Sequence, residues 1–197
     1  MHSRHPELTE ALSKLLEKMN HSLTIGGYQG EPVQMYLAGG MAVHYYCGTR
    51  YTADVDASFS HRLALQFDEL VVDYVREDGS PASIYLDPNY TDALALLHPD
   101  HREDSVVWAD VGSEVDRIDL RVFSPVDLAV SKLSRFSPVD EADIEALAER
   151  HLFTAEELRS RADEAMSYYV GDLTWIRHRL SSVCDSLSHL PSGNPQL

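Results

Sequence analysis

The chain has 197 residues, 44% hydrophobic and 24% charged, which suits one compact domain, or a core with a small helical appendage, and excludes a disordered chain. Sixteen Lys and Arg against 32 Asp and Glu give a net charge of −16, which disfavours broad nucleic-acid binding but not a phosphorylated ligand in a local pocket. Two cysteines make no disulfide framework, no apolar run approaches the ~20 residues of a membrane span, and MHSRHPELTEALSKLL meets acids too early for a secretory leader, so a cytoplasmic protein without membrane partners is expected.

In chain order, PELTEALSKLLEKMN predicts an amphipathic helix over 6–20, with Pro6 in its first turn. PVQMYLAGG predicts a strand over Val33–Leu37 that ends at Gly39 and Gly40, and MAVHYYCG a short helix stopped by Gly48. RYTADVDASF has the period of a second strand. LALQFDELVVDYV reads as a helix or as a strand from Leu70, and PASIYLD as a strand after an Asp-Gly-Ser-Pro hairpin turn. TDALALLH is a short helix or buried strand, and DSVVWADVG and EVDRIDLRVF are two further strands. From Ser124, a plausible N-cap before Pro125, four helical segments follow, and the tail SGNPQL is expected to fray. The expectation is an α+β fold: a mixed-sheet core with flanking helices over 1–123, then a helical C-terminal region over 124–190 that completes the site.

Four features carry chemistry. The Gly39-Gly40 bend before a helix lets backbone approach a ligand and offers free N–H groups to phosphate, though taken alone such a pair is more often a tight strand-to-helix turn. In Arg50-x-Thr52-x-Asp54-x-Asp56, strand alternation puts four polar side chains on one side. That face is either a solvated strand surface or a Mg²⁺ site, and two same-side acids with no cation between them are electrostatically unfavourable. Asp119 alternates with Arg117 and Arg121 on one side of a strand, as a third acid of the site or as an acid paired with its arginines. Lys132, one of only three lysines, shares helical spacing with Asp127, Ser131 and Arg135, ahead of Asp140 and Asp143. It reads as a phosphate partner or as a solvated lysine.

Taken together, these features describe a two-metal phosphoryl-transfer site. Asp54, Asp56 and Asp119 would hold Mg²⁺ or Mn²⁺, and the glycine bend would cradle the triphosphate. Arg50, Thr52, Arg135, Asp140 and Asp143 would line the nucleotide, and Lys132 would neutralise transition-state charge.

LAGGMAVHYYCGTRYTADVDASF resembles the nucleotidyltransferase superfamily of DNA polymerase beta-like fold: a hydrophobic strand, a Gly-Gly or Gly-Ser pair, and a downstream Asp-x-Asp. IDLRVFSPVDLAVSKLSRFSPVDEADIEAL is similar to small bacterial members of toxin–antitoxin and phage-defence loci, including the AbiEii-type toxins. The resemblance covers residues 33–60 and 117–150 and carries over Gly39, Gly40, Asp54, Asp56, Lys132, Asp119, Asp140 and Asp143. Some relatives have a serine where this chain has Gly40. It implies transfer of a nucleoside monophosphate from an NTP to an acceptor tRNA or protein, with a cognate antitoxin or toxin as partner. The alternative is a non-catalytic or antitoxin-like module of the same fold that binds a partner protein; its acidic surface suits a basic one. His44, His61, His98 and His101 show no metal-ligand spacing and are expected at the surface, Cys47 buried, and Tyr168-Tyr169 packed on a C-terminal helix.

Overall fold

The computed structural model describes residues 5–112 and 115–188; the tail expected to fray lies outside them. The chain divides into two compact units, Met1–Thr91 with Ser105–Val122, and Asp92–Asp104 with Phe123–Leu197. Residues 92–104, expected in the mixed-sheet core, thus group with the helices. Among the described residues no helix is long and apolar enough to cross a membrane.

The first unit is a mixed α+β structure. Helix α1 (Pro6–Ile25) starts at proline and runs five residues beyond the expected end. Leu8, Ala11, Leu12, Leu15, Leu16, Met19 and Leu23 recur every three or four residues and are all buried, so one stripe of the helix is core. Strand β1 (Val33–Leu37) leads into α2 (Gly39–Cys47), which begins at the glycine pair itself rather than after it. Gly48 closes α2 in the left-handed conformation, its N–H donating to the His44 carbonyl.

The strand expected over 50–59 is shorter and divided. Residues 50–53 precede it, β2 is Asp54–Val55, β3 is Ala57–Phe59, and Asp56 sits at the break. The remaining strands are β4 (Val71–Val75), β5 (Pro81–Leu86), β6 (Val106–Val107) and β7 (Ile118–Val122). The Asp-Gly turn does make a hairpin, with Val75 paired to Pro81 and Gly79 at positive φ. Two sheets form, ordered β3-β1-β7-β6 and β2-β5-β4. The segment 54–59 belongs to both, pairing antiparallel with β1 through β3 and parallel with β5 through β2. Asp56 is where the chain passes from one sheet to the other.

The second unit carries α3 (Pro125–Leu133), α4 (Pro138–Glu149), α5 (Ala155–Tyr168) and α6 (Thr174–Leu187). Their starts follow local chemistry. Ser124 Oγ accepts from the Asp127 N–H, and Ser137 with Asp140 and Thr154 with Glu157 form reciprocal capping boxes. Leu128, Ala129, Val130 and Leu133 of α3 are fully buried, as are Leu147 of α4 and Leu158 and Ala162 of α5.

Candidate functional site

The site begins where β1 stops. Ala38 is extended, its N–H donating 2.9 Å to the Asp56 carbonyl, and Gly39 then turns at φ +56 into α2. A side chain at either glycine would collide with side chains of the segment 52–56. A Cβ on Gly39 would lie 1.8 Å from Asp56 Oδ2, and one on Gly40 would lie 2.8 Å from Thr52 Oγ1. Glycine is required at 39 on both counts, positive φ and close approach. Thr52 Oγ1 donates 2.5 Å to Asp54 Oδ1. Asp56 thus stands against Gly39, and Thr52 with Asp54 at Gly40, at the N-terminal end of a nine-residue helix whose first N–H groups have no partner within the helix.

Arg50 does not share that face through strand alternation, because residues 50–53 are not strand. Its guanidinium donates to the Tyr51 carbonyl at 2.8 Å. Its own carbonyl faces His44 Nδ1 at 3.1 Å, while His44 Nε2 meets Thr9 Oγ1 at 3.2 Å. A carbonyl only accepts, so Nδ1 carries the proton and Nε2 accepts from the hydroxyl. Burial holds His44 below its usual pKa and keeps it neutral. This histidine is a strut between α1, α2 and the approach to Asp54, and it is buried, not at the surface as expected.

Asp87 is the acid that sequence reasoning missed. Strands β2 and β5 run parallel with Asp54 opposite Tyr85 and Val55 opposite Leu86, and the Asp87 N–H donates 3.1 Å to the Val55 carbonyl. Asp87 thus follows the last β2–β5 pair, Val55 with Leu86, by one residue, as Asp56 does on the other strand. Its Oδ1 accepts from Asn89 N–H at 2.8 Å, which fixes the carboxylate at the end of β5. Nothing in IYLDPNY separates this acid from Asp73 or Asp78; only the pairing of β5 with β2 does.

Asp119 lies elsewhere. It pairs in register with Gln34, while the Ala38 N–H reaches Asp56, so four residues of β1, roughly 13 Å of strand, separate the two levels. Its Oδ2 accepts from Arg121 Nε at 3.1 Å, the alternative arrangement its flanking arginines had offered. Among the described residues no three His, Cys, Asp or Glu side chains are gathered as a preformed metal cage. Mg²⁺ is normally held by one or two carboxylates plus phosphate oxygens and water. Asp54 and Asp56, beside a cradle that a Cβ would fill, fit that donor set.

Lys132, Arg135, Asp140 and Asp143 come together within the helical unit. Lys132 Nζ lies 2.8 Å from Asp143 Oδ2 and 3.5 Å from Asp140 Oδ1, and all three are buried. Arg135 forks onto Asp140 at 2.8 and 2.7 Å, and Asp140 also accepts from Ser137 in the capping box. Burial alone would raise the Asp140 pKa. The bonds from Arg135 and Ser137 and the Lys132 charge outweigh it and hold the carboxyl well below the usual range. Lys132 is therefore not solvated: its charge is compensated by two acids of the next helix.

His98 is also buried, contrary to expectation, with Nε2 3.0 Å from Glu164 Oε2; His61 is exposed and His101 half-buried. Cys47 is buried as expected. Tyr168 is 70% exposed rather than packed.

A family model described as a nucleotidyltransferase of unknown function, DUF6036, matches residues 10–180. None of the curated proteins matches the chain. A solved structure of the antibiotic-resistance factor ANT(2'')-Ia aligns with 90% of this chain and 97% of that one, at 17% identity and a TM-score of 0.41, a likeness too distant to bear on function.

Proposed function

The chain belongs to the DUF6036 nucleotidyltransferase family, and we propose that it moves a nucleoside monophosphate from an NTP to an acceptor hydroxyl at Asp54, Asp56 and Asp87. The observation that carries this reading is the pair of acids at the start of α2, Asp56 against Gly39 and Asp54 held by Thr52 beside Gly40; Asp87 follows the β5 strand paired with β2. Asp54 and Asp56 would hold Mg²⁺ or Mn²⁺. When bound, such a cation neutralises phosphate charge as the transition state forms.

The chain's own residues do the rest. Backbone N–H groups of Gly39, Gly40 and Met41 at the start of α2 face phosphate oxygens, and the absence of Cβ at the bend lets the triphosphate approach. Thr52 holds the Asp54 carboxylate in place through its hydroxyl. Asp87, set by Asn89, accepts the proton as the acceptor oxygen attacks the α-phosphorus and pyrophosphate leaves. The toxin–antitoxin or phage-defence setting implied by the sequence resemblance is part of this proposal, as is a location in the cytoplasm.

The test is melting temperature with each NTP, with and without Mg²⁺, followed by α-labelled NTP transfer to tRNA and to protein. A nucleotide- and metal-dependent stabilisation that disappears in Asp54→Asn with Asp56→Asn supports the reading. No stabilisation by any NTP overturns it in favour of the non-catalytic module.

A further inference from the structure

We propose that the open face of β2, β5 and β4 seats the acceptor, and that the acceptor is a basic polypeptide segment lying over Tyr85. The inference rests on the transferase reading above and names its second substrate. Alternation divides this sheet sharply. Val55, Val72, Ile84 and Leu86 point inward and are buried. On the other side Val75 is 61% exposed, Tyr85 41% and Val71 37%. By register Asp54, Tyr85 and Val71 form one row across the three strands, and Asp73 pairs with Ser83 in the row beyond. Tyr85 and Val71 are exposed neighbours in the same row as Asp54, so an apolar surface adjoins the acid.

The position of this face sets its role. The segment bearing Asp54 and Asp56 lies between β1, which leads into the glycine bend and pairs with β3, and strand β5, which pairs with β2. Phosphoryl transfer is in line, with the attacking and leaving oxygens on opposite sides of the phosphorus. With pyrophosphate drawn to the start of α2, the nucleophile enters from the β5 side, where Asp87 and Tyr85 stand. A serine, threonine or tyrosine oxygen of the acceptor forms the new bond to the α-phosphorus. The bond to the β-phosphate breaks, pyrophosphate carries away its electron pair, and the hydroxyl proton passes to the Asp87 carboxylate.

The chemistry of the face selects the partner. Asp54, Asp73 and Asp87 make it acidic towards β2 in a chain of net −16, and Lys18 at the β4 edge is tied to backbone carbonyls. A phosphate backbone is repelled, whereas Lys and Arg side chains find carboxylates and a Tyr ring face. Val71 to Val75 spans roughly 13 Å, the length of about four extended residues. Lys18 Nζ donates to the Glu69 and Val71 carbonyls at the outer edge of β4, so the segment lies on the face rather than adding to the edge.

The probe is a fluorescent peptide with one serine among lysines and apolar residues, its counterpart with glutamates for lysines, and total tRNA. Anisotropy is read without nucleotide, on wild type, Tyr85→Phe, Tyr85→Ala and Val71→Ser. The lysine peptide is expected to bind, weakened about tenfold by Tyr85→Ala and largely kept by Tyr85→Phe, with the NTP-induced thermal shift unaltered. With α-labelled NTP the label appears on that peptide. Equal binding of both peptides, indifference to Tyr85→Ala, displacement by tRNA, or binding without label transfer while NTP stabilises the protein each overturns the inference. A missing NTP shift counts against the transferase reading instead, because the binding arm uses no nucleotide.

Discussion

A Cβ on Gly39 would fall 1.8 Å from Oδ2 of Asp56, so the bend and the acid occupy space that only their mutual fit permits. Gly39→Ala therefore has two costs, the clash and a residue with a side chain at φ +56. The left-handed conformation alone costs roughly 1–2 kcal/mol. The variant is expected to lose that much stability in denaturant titration, and to lose the Mg²⁺–NTP thermal shift altogether because Asp56 must move.

Asp87 and Asp119 are a matched pair for separating register from sequence spacing. Asp87→Asn removes the proposed proton acceptor at the end of β5, and general-base removal typically costs about 10²–10⁴-fold in rate. Asp119→Asn, roughly 13 Å away along β1 and held by Arg121, is expected to leave transfer within a few-fold of wild type. Label-transfer rates on the two variants decide it; equal losses would mean the strand pairing does not set the site.

Lys132 and Asp143 test compensation of buried charge. Lys132→Met leaves two buried carboxylates facing an apolar side chain, and breaking such a pair costs about 3–5 kcal/mol. Adding Asp143→Leu should recover part of that, since removing both partners is far cheaper than removing one. Urea midpoints of the single and double variants report the coupling.

The pH dependence of stability follows from Asp140. Its folded carboxyl sits below the unfolded value, so it contributes stability in full above about pH 4. That contribution falls as pH drops through the unfolded and then the folded pKa. The gap in melting temperature between wild type and Asp140→Asn should be constant from neutral pH down to about pH 5 and narrow steadily below 4. A gap that widens on acidification would mean that folding raises the Asp140 pKa instead of lowering it.

Consecutive residues encode what depends on near neighbours. The Gly39-Gly40 bend, the Ser124 and Ser137 caps, the Asp78-Gly79 hairpin and the buried stripe of α1 were legible because turn chemistry and side-chain period act within a few residues. The Asp54–Asp56 pair was legible for the same reason, although the strand carrying it proved short and broken at Asp56. Which other acid the strand pairing brings to the Asp54 strand was not. Asp119 sits in a cleaner strand pattern than Asp87, yet parallel pairing of β2 with β5 brings Asp87 across, and pairing of β1 with β7 carries Asp119 away. Hydrogen bonds between strands far apart in the chain set those registers, and a pattern of alternation within one strand says nothing about its partner. The same limit hid the burial of His44 and the compensation of Lys132, since both depend on side chains that only folding brings near.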